Sequence, residues 1–473
     1  MDWERGTELV FGIVAPLGAD REGLQARIDD KLRAFGYTAN FLRLSDFPQR
    51  VSDDWFESPP VPDPQERLID RGNELRRRSG RPDILALFGI ADLARRRLRR
   101  EFGRRTAHVI WSLKRPEEVA TLRAVYGPGV FITGVYVPRS RRVAHLATLP
   151  GWDQRKAQRL VARDESEPDV EFGQRMADAY QLADVFVEDG DESTDRDIER
   201  FLDLIFGSPF VTPTPDESAM FLAYGVGARS GSLARQVGAV IVGPRGEVLA
   251  AAANDAPRPG GGPYESGPED RRDIIEGRDS NDVQKRAILE DLCQRLGLSP
   301  AESAARLHGS RLDAITEYGR DVHAEMAAML CTARRGIAIG GASLFTTTFP
   351  CHNCAKHIIA AGITSVCFVE PYPKSKASEL HGDGLRLEED GAADGRVVLR
   401  PFRGVAARRF LDLFSMTLRA GPEKRRKRED GTKRPWIRRE ARPDWPLPSE
   451  AFEKPEQFAA EQLNALHLPP GTW

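Results

Sequence analysis

The sequence predicts an α/β protein made of two successive layered parts, and three observations carry that prediction. Through residue 208 the chain alternates apolar, strand-like runs with amphipathic, helix-like runs. The proline-rich segment "PFVTPTPDE", Pro209 to Glu217, then breaks the alternation. Beyond it lie two helix-like runs that each open on metal-ligating residue types, "HAE" at 323–325 and "PCHNC" at 350–354.

In order along the first part, "ELVFGIVA" reads as a buried strand and "DREGLQARIDDKLRAF" as a helix. "HVIWSL", "PEEVATLRAVYG" and "VFITGVYV" follow as strand, helix and strand, and "ADVFVEDG" closes the series. Strands that alternate with helices make a parallel sheet with flanking helices. In the second part, "ESAMFLAYGVGARS" is a helix. "QVGAVIVGPRGEVLAAAAND" is a hairpin-like pair that turns near Pro244–Gly246, and a glycine-rich, then charged insertion occupies about residues 260–320. Strands "ASLFTTTF" and "CFVEPY" and a last strand and helix in "VVLRPFRGVAARRFLDLF" complete it. The expected division is 1–208, 209–420 and a basic, proline-containing C-terminal tail, 421–473. That tail reads either as a solvated segment or as one that lies on a partner.

At 473 residues and 40% hydrophobic content, the chain suits a multidomain globular protein. A formal charge of −2 excludes a global nucleic-acid-binding charge. Five cysteines without framework spacing point to a reducing cytoplasm. The start "MDWERGTELV" carries charges where a signal peptide needs an apolar core, and no apolar run approaches the roughly 20 residues of a membrane span. A cytoplasmic protein without a membrane partner is expected.

The stretch "FPCHNCAKH" holds two cysteines and two histidines. Pro350 stops the preceding strand and "AKHIIAAGI" reads as a helix, so Cys351 sits at a helix N-terminus with Cys354 on the same face. His357 lies about 9 Å further along the axis, at about 1.5 Å per residue, and His352 points elsewhere. A further ligand comes from "YGRDVHAEMAAMLCTARR", where His323 and Glu325 open a helix. His323, Cys351 and Cys354 form a three-ligand set that leaves a fourth tetrahedral position open, the mark of a catalytic rather than a structural zinc. Glu325 stands beside that position as a proton carrier. His-x-Glu opening one helix and Pro-Cys-x-x-Cys opening the next is the signature of zinc nucleobase deaminases. Cys293, Cys331 and Cys367 read as core residues.

These motifs, with "VGAVIV" and "TTTFPCHNCAKHIIAAGI", closely resemble the deoxycytidylate deaminases of the cytidine deaminase superfamily over about residues 218–415. The resemblance implies a central mixed sheet with zinc between two helices. It also implies that Asn254, in "AAANDAP", contacts the substrate sugar and base. An amide at a strand end can meet a hydroxyl and a carbonyl together, although "ND" near proline equally suits a turn.

In the first part, "FGIVAPLGADREG" follows a strand and opens a helix, the place where a P-loop cradles phosphates. Gly12 and Gly18 are one residue too far apart for that motif. Ala19 and Asp20 stand where its lysine and hydroxyl belong, so the phosphate clamp and magnesium ligand are missing. "SLKRPEEVATLRAVYG", "PRSRR" and "RDESE" remain kinase-like. The reading is a degenerate P-loop nucleotide-kinase-like domain, a scaffold or sensor, with Gly12, Gly18, Arg139 and Arg142 as candidate nucleotide-binding residues.

Such a domain ahead of a deoxycytidylate-deaminase-like one resembles the bacterial anti-phage deoxycytidine nucleotide deaminases. The resemblance implies conversion of dCMP and dCTP to dUMP and dUTP and depletion of the pool that phage replication needs. It also implies a homo-oligomer such as a hexamer, and control by a regulatory RNA or nucleotide effector. Two other function classes compete. An editor of cytosine or adenine in RNA or DNA needs a basic groove with stacking aromatics, yet aromatics are only 8% and the segment around the ligands is not especially basic. A non-catalytic zinc module has no need of Glu325. The arginine run "LARRRLRREFGRR" can hold RNA or phosphates, or be a solvated helix face.

Overall fold

Seven consecutive buried residues in β1 (Thr7–Val14) require cover on both faces, and β1 is accordingly the middle of a parallel sheet. Its order is β2 (Thr38–Arg43), β3 (Thr106–Trp111), β1, β4 (Val130–Tyr136), β5 (Val185–Glu188). This is a computed structural model, and it describes residues 7–57, 61–167, 170–190, 192–297, 299, 315–370, 375–388, 394–445, 447–448, 450–464 and 466. Helices α1 (Arg21–Arg33), α2 (Pro64–Ser79), α3 (Ile84–Leu98), α4 (Pro116–Tyr126), α5 (Arg139–Ala147), α6 (Gln154–Glu165) and α7 (Glu192–Ile205) connect or cover these strands. Local signals set their ends. In α2, the Asp63 side chain accepts from the Gln65 and Glu66 amides, Pro64 occupies the first turn, and Gly80 closes the helix at φ 64°.

The chain forms two units, one of residues 1–213 with 403–473 and one of residues 214–402. The expected division put a separate tail at 421–473, and the structure places its described residues inside the first unit instead. Gly404–Val405 pairs antiparallel with β5, and Leu447–Pro448 with β1. Trp445 packs against Phe131 in the core, and Phe452 of the helix Glu450–Asn464 meets Tyr126 at 5.0 Å. Low periodicity hides these anchors because single aromatics and ion pairs, such as Arg438 with Asp203, hold the segment rather than a continuous apolar face.

The second unit has a mixed sheet in the order β10 (Leu385–Leu387), β11 (Val397–Pro401), β9 (Ser365–Glu370), β8 (Ser343–Thr348), β6 (Gly238–Val242), β7 (Val248–Ala253). The β6 strand is antiparallel to both neighbours, and the others run parallel to one another. Against the sheet lie α8 (Pro215–Gly227) and α10 (Ala324–Arg334), while α9 (Ser280–Leu296) belongs to the insertion. The helix α11 (His352–Ala360) follows β8. Gly238 lets α8 approach β6: a Cβ there would meet the Ala223 carbonyl oxygen at 1.8 Å. The insertion expected at about 260–320 is thus partly helical, with residues 300–314 outside the described set. Among the described residues, no helix is long and apolar enough to cross a membrane.

Candidate metal centre

The site forms where two helix N-termini face one point. His323 is the N-cap of α10, with φ −58° and ψ 148°, so its side chain leaves the helix axis before helical geometry begins. Paired backbone hydrogen bonds between Asp255 and Val322 tie the preceding residue to the chain after β7. Cys351 is the N-cap of α11, and its sulfur accepts from the Cys354 amide at 3.4 Å. The Cys351 Sγ lies 3.2 Å from His323 Nδ1, and the Cys354 Sγ 3.5 Å from the same nitrogen. All three donor atoms fall within 4.8 Å of one another, the single such group among the described residues.

Glu325, in the first turn of α10, is 3% exposed, and its Oε2 stands 3.5 Å from the Cys354 Sγ. Burial pushes its carboxyl above the ordinary range, a shift that the His323 charge opposes. Within the cluster, hydrogen bonding from Cys354 and His323 draws the Cys351 thiol down to about 4 against its burial. The Cys351 thiolate in turn raises His323 to about 9. Cys354 shifts upward, first because Cys351 holds the shared charge and then because it is buried. An imidazole nitrogen and two sulfurs, gathered this closely and already favouring a thiolate, are the donor set that zinc takes. His352 meets Glu317 at 3.3 Å and His357 is exposed, so neither joins the cluster.

A cavity of about 390 Å³ opens beside the cluster. Asn254 lines it, buried, with Oδ1 accepting from the Val237 amide at 2.7 Å and Nδ2 donating to the Arg235 carbonyl at 3.0 Å. Its side chain therefore fixes the loop before β6, and it keeps one lone pair and one N–H beyond these bonds. The sequence offered no means to place the other wall. Asn281 and Lys285 come from α9 of the insertion and Asp279 caps that helix, and Asp321, Thr348 and Arg235 also line the cavity. A spacing rule finds ligands that open helices, but it cannot fold an insertion back onto its own domain.

Of the candidate residues of the first unit, Gly18 lies against Arg142, whose Cα a Cβ at Gly18 would meet at 3.2 Å. Gly12 lies within β1, where a Cβ would meet Ile132 and Leu113 side chains at 2.7 Å. Gly18 lines a different cavity, with φ 92°. Arg139 is exposed, and Arg142 is buried against the Val137 carbonyl and Glu165. The loop amides that would cradle a phosphate are engaged: Leu17 donates to Asp164 and Asp20 to Asp189, both at 2.7 Å.

A mixed α/β unit with a His/Cys/Cys cluster and an adjoining buried carboxyl is the arrangement that zinc deaminases use. Residues 213–370 match the family model described as cytidine and deoxycytidylate deaminase zinc-binding region, so this part of the chain is a domain of the cytidine deaminase superfamily. Among curated proteins, the chain is 37% identical over 86 residues to the deoxycytidylate deaminase of Enterobacteria phage T2, covering 18% of this chain and 44% of that protein. It is 43% identical over 56 residues to the phage T4 deoxycytidylate deaminase, covering 12% and 29%. The chain therefore spans less than half the length of these relatives. A solved dCMP deaminase from cyanophage S-TIM5, in complex with dCMP and dUMP, aligns at 20% identity with a TM-score of 0.25, covering 41% of this chain and 99% of that one.

Proposed function

We propose that the second unit hydrolytically deaminates free deoxycytidine nucleotides, dCMP or dCTP, to the uracil forms. The observation that carries this reading is Glu325: a carboxyl that is 3% exposed, raised by burial, and within 3.5 Å of the donor cluster. Zinc held by His323, Cys351 and Cys354 would supply Lewis acidity to the attacking water. Glu325 moves the protons. It takes one from the water and delivers it to the ring nitrogen, then takes the second from the hydroxyl added at the ring carbon and delivers it to the departing ammonia as the carbon–nitrogen bond breaks, work whose ideal pKa lies near the operating pH. Asn254 orients sugar and base with its remaining lone pair and N–H.

A single nucleotide suits the cavity better than a polynucleotide does. The wall carries Asp273, Asp279, Asp282 and Asp321, which would repel the long backbone of a polynucleotide, and its cations Arg235 and Lys285 are paired with Glu370 and Asp282. We read the first unit as a degenerate nucleotide-kinase-like domain, supported by its parallel sheet and by Ala19 and Asp20 in place of the lysine and hydroxyl. Pool depletion in anti-phage defence, a homo-oligomer and an RNA or nucleotide effector belong to the same proposal, and the sequence resemblance alone supports them.

Ammonia release measured on dCMP, dCTP, CMP and single-stranded DNA tests the reading. Turnover of the free deoxynucleotides alone is expected. Release from single-stranded DNA, with the free nucleotides inert, would replace this reading with editing.

A further inference from the structure

Behind the wall of the second unit's cavity lies a buried carboxyl that the deamination steps do not use. Asp255 follows Asn254 just beyond β7 and is 3% exposed. One of its oxygens accepts from the Gly231 amide at 3.1 Å and the other from the Ala256 amide at 3.0 Å. The Arg272 guanidinium stays 3.9 Å away, engaged with Asp270 at 2.7 Å and with the Arg229 carbonyl at 3.1 Å. Burial pushes Asp255 above the ordinary carboxylate range, against the pull of the two amides. A buried carboxyl so lightly matched lowers stability. Its connections indicate what it does instead.

Loop 230–237 supplies Ser232, Ala234, Arg235 and Val237 to the cavity. Asn254 fixes the later half of that loop through the Arg235 carbonyl and the Val237 amide, and its own carbonyl accepts from Ser230 Oγ at 2.7 Å. Asp255 fixes the start of the loop through Gly231. Its backbone meanwhile pairs in both directions with Val322, the residue before His323. One residue therefore joins the loop on the cavity to the segment that presents a metal donor. The start of the insertion backs the same point. Ile274 N donates to the Gly231 carbonyl at 3.1 Å, and a Cβ on Gly231 would meet the Arg272 side chain at 2.9 Å, so the loop lies flat on Arg272.

We propose that Asp255, backed by Arg272, is a positioning residue for deamination: its carboxylate holds loop 230–237 in the arrangement that receives the nucleotide, in register with His323. The role rests on the deaminase reading of this unit. Neither Asp255 nor Arg272 is among the described residues that line the cavity, so both act through the loop and not on the substrate. Removing the carboxylate leaves Glu325 and the three metal donors in place. It should therefore raise KM and spare kcat, the mark of lost binding that ground state and transition state share.

The test is steady-state ammonia release from dCMP and dCTP by the full-length, zinc-loaded protein and its Asp255→Ala, Asp255→Asn and Arg272→Gln variants, with zinc content and amide hydrogen exchange measured on each. Asp255→Ala should keep its zinc, raise KM about tenfold, the scale of one lost charge-assisted hydrogen bond, and hold kcat within about twofold. Exchange should quicken in the 231–237 amides and stay unchanged in α10. Asp255→Asn retains one accepting oxygen and should fall between Asp255→Ala and the wild type. Arg272→Gln should show the same split at smaller size, and it carries the test if Asp255→Ala does not fold. Wild-type KM in Asp255→Ala and Arg272→Gln would overturn the proposal even with quickened exchange, because the carboxylate would then hold the loop for stability alone. Loss of zinc together with a fall in kcat would also overturn it, by moving the role to the metal centre. A wild-type protein that releases no ammonia from either nucleotide would remove the deaminase reading itself, and this role with it.

Discussion

The two units treat their buried polar groups in opposite ways. In the second, His323 lies 3.2 to 3.5 Å from Cys351 and Cys354, a concentration of donors that suits a metal cation. In the first, the loop after β1 looks built for a phosphate, yet Asp164 and Asp189 already occupy its amides. Carboxylates of the protein stand where an anionic ligand would. A motif by itself therefore says little; what decides function is whether its donors and acceptors are left for something else.

Removing one donor is the harshest way to break this contrast. Cys354→Ala should lose nearly all bound zinc and all ammonia release, while the tryptophan-reported unfolding of the first unit stays at its wild-type midpoint. Metal analysis with fluorescence-detected unfolding checks both halves. Retained zinc would remove the centre proposed here. Glu325→Gln comes next in size. It keeps the three donors and the shape of the side chain, so a zinc-loaded protein is expected whose ammonia release falls about 10²- to 10⁴-fold, the usual worth of a general acid and base. Wild-type turnover in a zinc-loaded Gln variant would take Glu325 out of the proton path.

What could be read from the sequence follows the same line. Ligands that open helices are legible, because a cap residue and its spacing fix the direction in which a side chain leaves the chain. His323 and Cys351 are both N-caps, as the motif spacing suggests. The strands β1, β3, β4 and β5 were legible as apolar runs. By contrast, β2 is a mostly half-buried edge strand, "TANFLR", with no apolar run to reveal it. The helices α2 and α3 are rich in arginine, and much of that arginine is paired internally, as Arg76 with Glu118 and Arg97 with Glu456. The same compensation hid the C-terminal segment, whose charges look solvated in sequence and are partnered in the fold. In particular, "LARRRLRREFGRR" contains Arg97, which is bonded to Glu8 and Glu456 and so is not free for RNA.

Asp164→Ala tests the first half of the contrast at moderate cost. Asp164 is 3% exposed, accepts from Leu17 N at 2.7 Å and pairs with Lys114 at 2.7 Å. Truncation leaves a largely buried ammonium without its partner, and breaking such a pair typically costs about 3–5 kcal/mol. A lower midpoint by tryptophan fluorescence in urea is expected, with ammonia release unchanged under native conditions. An unaltered midpoint would mean that the carboxylate contributes little to holding the loop.

The smallest effect concerns Glu8, and its sign can be worked out. Burial alone would raise this carboxyl, but hydrogen bonds to His108 at 2.7 Å and to Arg97 outweigh it and bring the group to about 2. A carboxylate whose folded value lies below its unfolded value stabilises the fold at any pH above the unfolded value, near 4.5. That contribution fades as pH falls from 4.5 through about 2, where the folded protein must also take up the proton. At about 1.4 kcal/mol for each tenfold difference in proton affinity between the folded and unfolded chains, the loss is on the order of 3 kcal/mol. Acid release of zinc from the second unit does not blur the measurement, because residues 214–402 contain no tryptophan. Fluorescence-detected urea midpoints between pH 5 and 2 should decline more steeply in the wild type than in Glu8→Gln, which has no proton to gain at that position. Parallel declines would assign the acid sensitivity of the first unit to its other buried carboxylates, and the Glu8, Arg97 and His108 cluster would then hold the sheet by packing rather than by charge.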